Sequence, residues 1–183
     1  MEEDVYRKEI AALRAQIYEL RKRLHTGEEP EPIPEGVVEV LECVIDDDQH
    51  VAFLLGSVSE VVLVARMAEL PEAPPWLCGL LNLRGAMLPV LDVEARIQWS
   101  TREPTLSDYV IIAQDRERAV GLLVKDVRGV RAFQTADLQQ PAEEIPYAPY
   151  VLGVFPSSPG VHLLSIRRLM SVSDLPVEVS AST

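Results

Sequence analysis

LPEAPPWLCGLLNLRGAMLPVLD, residues Leu70 to Asp92, decides how the rest of the chain is read. Pro71, Pro74 and Pro75 stiffen the entry, and Trp76 to Leu81 is apolar enough to belong to a core. Asn82-Leu83-Arg84-Gly85 then interrupts with a turn, and Ala86 to Leu91 resumes as a buried strand. An Arg and a Gly set inside such a run have two readings. Either the Arg caps a backbone carbonyl of its own corner, or it stands out from the turn to meet a partner.

From residue 37 onward, short β-branched runs alternate with turn signals, the pattern of an all-β body. The same plan runs twice. Val37 to Ile45 turns through Asp46-Asp47-Asp48 into Val51 to Leu55, then come Val58 to Val61 and a strand near Val62 to Ala65. Tyr109 to Ala113 turns through Asp115-Arg116-Glu117-Arg118 into Ala119 to Val124, followed by Val127 to Val130. Each pass closes alike, with Cys78-Gly79-Leu80-Leu81 running on to Ile97 and Leu152-Gly153-Val154-Phe155 running on to Met170. A repeat offset of about 70 residues implies two similar small β-barrels, since closure removes the exposed edges a lone sheet would leave. The domain is expected over 37–172, with barrel halves at roughly 37–100 and 106–172. Short helices are expected at Asp92 to Gln98 and Ser165 to Ser171, where Asp92 and Ser165 suit the capping position.

Residues 1–26 read as a helix whose apolar positions Tyr6, Ile10, Leu13, Ile17, Leu20 and Leu24 alternate steps of four and three. Ile10 and Ile17 at a, with Leu13 and Leu20 at d, favour a parallel two-stranded coil, and Glu2 and Glu9 fall opposite Arg7 and Arg14 of a second chain. The alternatives are a helix packed on its own domain or one that binds a partner. Residues 27–36, rich in Pro and Glu, read as a stiff, solvated linker, and 173–183 as a disordered tail.

A formal net charge of −12 over 183 residues disfavours nucleic acid and anionic membrane as partners. No run of about 18 apolar residues is present to cross a bilayer, so the expected location is cytoplasmic. Cys43 and Cys78 each sit in apolar runs, as buried cysteines do, and His25, His50 and His162 have no ligand-spaced neighbours, so no metal is expected. The Asp46 to Asp48 run lacks the Gly and the distant Glu of a calcium loop. No nucleophile with its base, phosphate-cradling glycine loop or paired carboxylates can be read, so neither an enzyme nor a cofactor is expected. An oligonucleotide- or oligosaccharide-binding barrel pair would need stacking aromatics, and only 5% of residues are aromatic.

The decisive stretch resembles the signature of CheW-like domains, the adaptor modules of bacterial chemotaxis signalling: Leu-Pro-x-Ala-Pro, an apolar stretch ending in Gly, Asn-Leu-Arg-Gly, then a strand carrying Pro and closing on Asp. Val58-Ser59-Glu60-Val61 is similar to the family's Val-x-Glu-Val, and Gly121 to Val130 to its second-half pattern, with departures at Lys125 and Ser165, where the family more often carries acidic or amide residues. The resemblance implies two five-stranded barrels side by side and a scaffold without catalysis. One end of the first barrel would dock the regulatory domain of a CheA-type histidine kinase, and the groove between barrels would take the cytoplasmic tip of a methyl-accepting chemoreceptor. Mapped onto this chain, the partner-binding residues are Val58, Glu60, Val61, Arg84 and Gly85, with Leu122, Val124 and Val127 as groove candidates and plain core packing as the alternative for Val58 and Val61. A non-flagellar chemosensory pathway, for twitching motility or development, or a ligand-binding double barrel are the rival functions.

Overall fold

The computed structural model describes residues 30–46, 49–98 and 102–171. The expected helix over 1–26 with its seam residues Ile10, Leu13, Ile17, Leu20 and Leu24, and the tail 173–183, lie outside the described residues. Among the described residues, ten strands and two short α-helices follow in the order β1 (Val37–Asp46), β2 (Gln49–Leu54), β3 (Val58–Leu63), β4 (Leu77–Leu83), β5 (Ala86–Asp92), α1 (Val93–Gln98), β6 (Tyr109–Asp115), β7 (Arg118–Val124), β8 (Asp126–Gln134), β9 (Val151–Phe155), β10 (Val161–Leu164) and α2 (Ile166–Leu169). Both helices begin where the sequence places them. The Ala95 amide donates to Asp92 Oδ1 at 3.1 Å, and the Arg168 amide to Ser165 Oγ at 3.1 Å.

The strands form two five-stranded sheets, β8-β1-β2-β10-β9 and β3-β6-β7-β5-β4, here called barrel one and barrel two. Mapping β1–β5 onto β6–β10 turns the first order into the second, so the repeat read from the sequence is real. The halves 37–100 and 106–172 are nevertheless not the two barrels. Each barrel takes the first two strands of one repeat and the last three of the other, which makes β10–β2 and β5–β7 parallel pairs while the remaining neighbours are antiparallel. Strand periodicity specifies which residues face a core but not which sheet a strand joins.

Closure of each sheet follows the same device. Beyond β3 the chain returns to pair Ala68 with Leu80 on β4, and beyond β8 it pairs Gln139 with Val154 on β9. Both crossings need a glycine. Gly79 has φ +148, and a Cβ there would stand 2.5 Å from the Ala68 carbonyl oxygen; at Gly153 it would overlap the Leu138 side chain. Gly79→Ala is therefore expected to cost about 1–3 kcal/mol through strain and a backbone clash, read as a lowered urea midpoint. Gly56→Ala, whose added methyl meets nothing within 4 Å, serves as the neutral control.

Three apolar clusters result. Val38, Val40, Ala52, Leu54, Phe155, Val161 and Leu163 fill barrel one, and Leu81, Val90, Val110, Ile112 and Leu123 fill barrel two. The largest lies between them and takes Leu41, Cys43 and Ile45 from the opposite face of β1, with Val51, Phe53, Ile111, Leu122 and Val124. Strands β1, β2, β6 and β7 are thus buried on both faces, which is why they read as nearly continuous apolar runs, whereas β3 alternates half-buried and exposed positions.

The expected linker is a correction. Glu31 is buried, Ile33 packs against the barrel-one cluster, and Thr135 donates through its hydroxyl to the Pro34 carbonyl (2.7 Å) and through its amide to that of Gly36 (2.8 Å). From Glu31 onward the segment belongs to the body, because Ile33 supplies apolar area and the intervening carbonyls find donors.

Candidate functional site

The Asn82-Leu83-Arg84-Gly85 turn is the tip of the β4–β5 hairpin. Leu83 pairs with Ala86, leaving Arg84 (φ +51) and Gly85 (φ +91) as a two-residue loop in left-handed conformation. That geometry matches the right-handed twist of the flanking strands, and Gly at the second position adopts it without steric cost. The Gly85 amide donates to Asn82 Oδ1 at 2.9 Å, so the side chain of Asn82 holds the loop and frees Arg84 from doing so.

Arg84 reaches across the barrel rather than into its own corner. Its Nη1 and Nη2 donate to Glu60 Oε1 and Oε2 at 2.8 and 2.9 Å, a two-pronged pair between the hairpin tip and β3. The reading in which Arg84 caps a loop carbonyl is thereby replaced. Glu60 shares the inward face of β3 with Val62, while a register shift between Val58 and Glu60 turns Val58 to the central cluster, so the pair ties β3 to the β4–β5 hairpin. The Arg84 side chain is 77% exposed and that of Glu60 27%, so solvent screens the pair and its net contribution to folding is about 0.5–1 kcal/mol. A guanidinium so exposed, yet fixed in direction, is available to a second acceptor.

The other sequence-derived residues divide. Val58 is half-buried against the central cluster, while Val61 faces outward on β3 together with Leu63. Of the large apolar side chains exposed among the described residues, Val61, Leu63, Met87 and Leu106 belong to barrel two. A cleft of about 660 Å³ lined by Arg66, Met67, Leu80, Asn82 and Met87 lies on the same barrel. Leu122 and Val124 are corrections: both are fully buried in the central cluster, because β7 is covered on each face, and neither lines an open groove. Val127 is half-buried against that cluster, and Val130 on the same strand is exposed.

Several polar residues that the sequence reading missed hold the assembly together. Arg96 is wholly buried between the barrels; its Nε donates to the Leu169 carbonyl at 3.1 Å, and its guanidinium carbon lies 4.4 Å from the Trp76 ring centre and 5.3 Å from that of Tyr150. Its signal is an Arg set between Ala95 and Ile97, both of which are buried. Glu42 in barrel one accepts from Arg131 at 2.8 Å and pairs with His50 at 2.7 Å. Burial pushes the Glu42 carboxyl up, but these two partners outweigh it and hold it below the usual carboxylate range. Burial raises the Cys43 thiol and pushes that of Cys78 up to about 12, so neither is a poised nucleophile. No three of His, Cys, Asp and Glu among the described residues gather as a metal site requires.

A model of the CheW-like domain matches residues 39–174, and the chain belongs to that family. It is 36% identical over 92 residues to Chemotaxis protein CheW of Rhizobium meliloti (strain 1021), covering 50% of this chain and 59% of that protein. It is also 36% identical over 98 residues to the Probable chemotaxis protein CheW of Rhizobium etli, covering 54% and 63%. The chain thus matches about three-fifths of the length of these relatives. Among solved structures, the scaffolding protein TtCheW from Thermoanaerobacter tengcongensis superposes with a TM-score of 0.69 at 20% identity, over 82% of this chain and 97% of that one, which shows a shared fold.

Proposed function

We propose that this chain is a cytoplasmic, non-enzymatic coupling adaptor that joins a CheA-type histidine kinase to the cytoplasmic tips of chemoreceptors, so that receptor occupancy sets the rate of phosphorylation. The observation that carries this reading is the Arg84–Glu60 pair. It fixes an exposed guanidinium at the rim of barrel two next to the outward-facing Val61 and Leu63, the combination of a charged, directional group and an apolar anchor that protein interfaces use. The kinase regulatory domain docks here, on barrel two rather than on a barrel built from the first repeat, because β3, β4 and β5 close with β6 and β7, and Gly85 allows close approach of the hairpin backbone. The receptor tip lies along the groove between the barrels, where Val127 and Val130 of β8 replace the buried Leu122 and Val124 as contact residues.

The test is binding of the full chain to the regulatory domain of the kinase from the same genome, followed by stopped flow at low and high salt. Glu60→Lys is expected to slow association by about tenfold at low salt, with the difference shrinking as salt screens it. Equal rates at both salt concentrations would remove Glu60 from the docking face.

Residues 1–26 dimerise the protein through Ile10, Leu13, Ile17, Leu20 and Leu24, giving each assembly two adaptor bodies and hence avidity in an array. Light scattering should find a dimer for the full chain and a monomer for a chain beginning at residue 30, a start that keeps Glu31. Monomers in both cases at tens of micromolar would overturn it.

A further inference from the structure

The segment before β1 and the helix after β10 meet at one buried carboxylate. Glu31 Oε2 accepts from the Ser165 hydroxyl, and Oε1 accepts from the Ile166 amide at 2.6 Å, while the same Ser165 oxygen caps the Arg168 amide. Only 8% of Glu31 is exposed, and Ser165 is fully buried.

The helix it engages has partners in both halves of the joint. Arg167 donates from Nε and Nη2 to the Asp115 carboxylate at 3.0–3.2 Å, at the β6–β7 hairpin of barrel two. The Leu169 carbonyl receives Arg96 from α1, and Arg168 Nη1 donates to the Pro149 carbonyl at 3.0 Å.

The repeat shows what Glu31 replaces. In barrel two the corresponding helix is α1, capped by Asp92, and the corresponding incoming segment carries Arg102, which approaches Glu94 at 3.5 Å, binds Asp108 at 2.6 Å and acts electrostatically on Asp92. The Asp cap there lies in the field of a cation whose own partners are Glu94 and Asp108, whereas the Ser cap in barrel one donates directly to an anion. The two arrangements differ in one further respect. The Arg102 segment lies between two elements of the body, α1 and β6, whereas the segment 30–36 is joined to a described element at one end, β1, so that its Glu31 end is held by contacts.

We propose that residues 30–36 form a latch, closed by Glu31 on Ser165 and Ile166, that couples the N-terminal segment to the joint between the two barrels through α2. Glu31 is a positioning residue: whatever holds or pulls the N-terminal segment acts on α2, and α2 passes the effect to barrel two through Asp115 and Arg96. Its neighbours decide the specificity of the contact. Ser165 both donates to Glu31 and caps the helix, so an Asp in its place keeps the cap and repels the latch.

Hydrogen exchange on the full chain tests this, read at the amides that donate to the segment, Ile166 to Glu31 and Thr135 to Gly36. Ser165→Asp is expected to speed exchange at these two amides about tenfold or more, and severalfold at the Asp115–Arg118 hairpin. Adding Glu31→Gln, whose amide donates to the new carboxylate, should return both regions to within about twofold of the starting protein. Unchanged exchange at Ile166 and Thr135 in Ser165→Asp, a hairpin that stays protected while the latch opens, or failure of Glu31→Gln to rescue would each overturn the proposal. If Ser165→Asp does not fold, the comparison moves to Ser165→Asn, which still donates to Glu31, and Ser165→Ala, which does not. Slower exchange at Ile166 and Thr135 in the Asn variant supports the latch, and equal exchange in the two overturns it.

Discussion

Arg96→Ala is expected to destabilise the protein by ~3 kcal/mol or more, lowering its melting temperature by about 6–12 °C for a chain of this size. Three losses combine. The substitution empties a wholly buried volume between the barrels, removes the donor to the Leu169 carbonyl that ends α2, and separates a cation from the faces of Trp76 and Tyr150. Arg96→Met restores most of the volume and none of the charge, so it should recover more than half of the loss, because replacing a buried charge by an apolar side chain of similar size is often close to neutral. Urea unfolding of the three proteins measures both numbers. A loss below about 1 kcal/mol for Arg96→Ala would mean that the joint is held by its apolar cluster alone.

Arg84→Glu is expected to weaken binding to the kinase regulatory domain by at least tenfold, equivalent to about 1.4 kcal/mol, while moving the melting temperature by only a few degrees. The asymmetry follows from exposure. A side chain that is 77% exposed adds little to folding, but it has a fixed direction that a partner can use. The double variant Glu60→Arg with Arg84→Glu rebuilds the intramolecular pair with its charges exchanged. It should recover the small loss in melting temperature and none of the binding. Recovery of binding in the double variant would show that the pair acts only by closing the barrel.

Legibility in the sequence stopped at different places for different residues. Most strands, the turn at 82–85 and the caps Asp92 and Ser165 are local events, set by alternation, turn chemistry and side-chain acceptors, and they are readable; Val161–Leu164 is too short to stand out, and residues 58–61 and 62–65, expected as two strands, are the single strand β3 ending at Leu63. The exchange of strands between repeats is not readable, since β1 with β2 and β6 with β7 carry the same two-faced apolar pattern and each would fit either sheet. That ambiguity also misplaced Leu122 and Val124, whose strand is covered on both faces rather than one. The ion pair between Glu60 and Arg84 joins two motifs that were each recognised, but their meeting depends on barrel closure by Ala68 and Leu80. Glu31 was hidden by its surroundings. A segment rich in Pro and Glu reads as solvated, and nothing local reveals that one of its carboxylates finds a hydroxyl and a backbone amide more than a hundred residues away.

Kinase activity in a reconstituted array tests the coupling role most directly. Receptor fragments in lipid nanodiscs and the CheA-type kinase from the same genome would be assembled with and without this chain, and autophosphorylation followed with and without receptor ligand. The kinase is expected to respond to ligand only when the chain is present, and Arg84→Glu is expected to abolish the response while the protein stays folded. A kinase whose ligand response is the same with and without this chain would contradict that role.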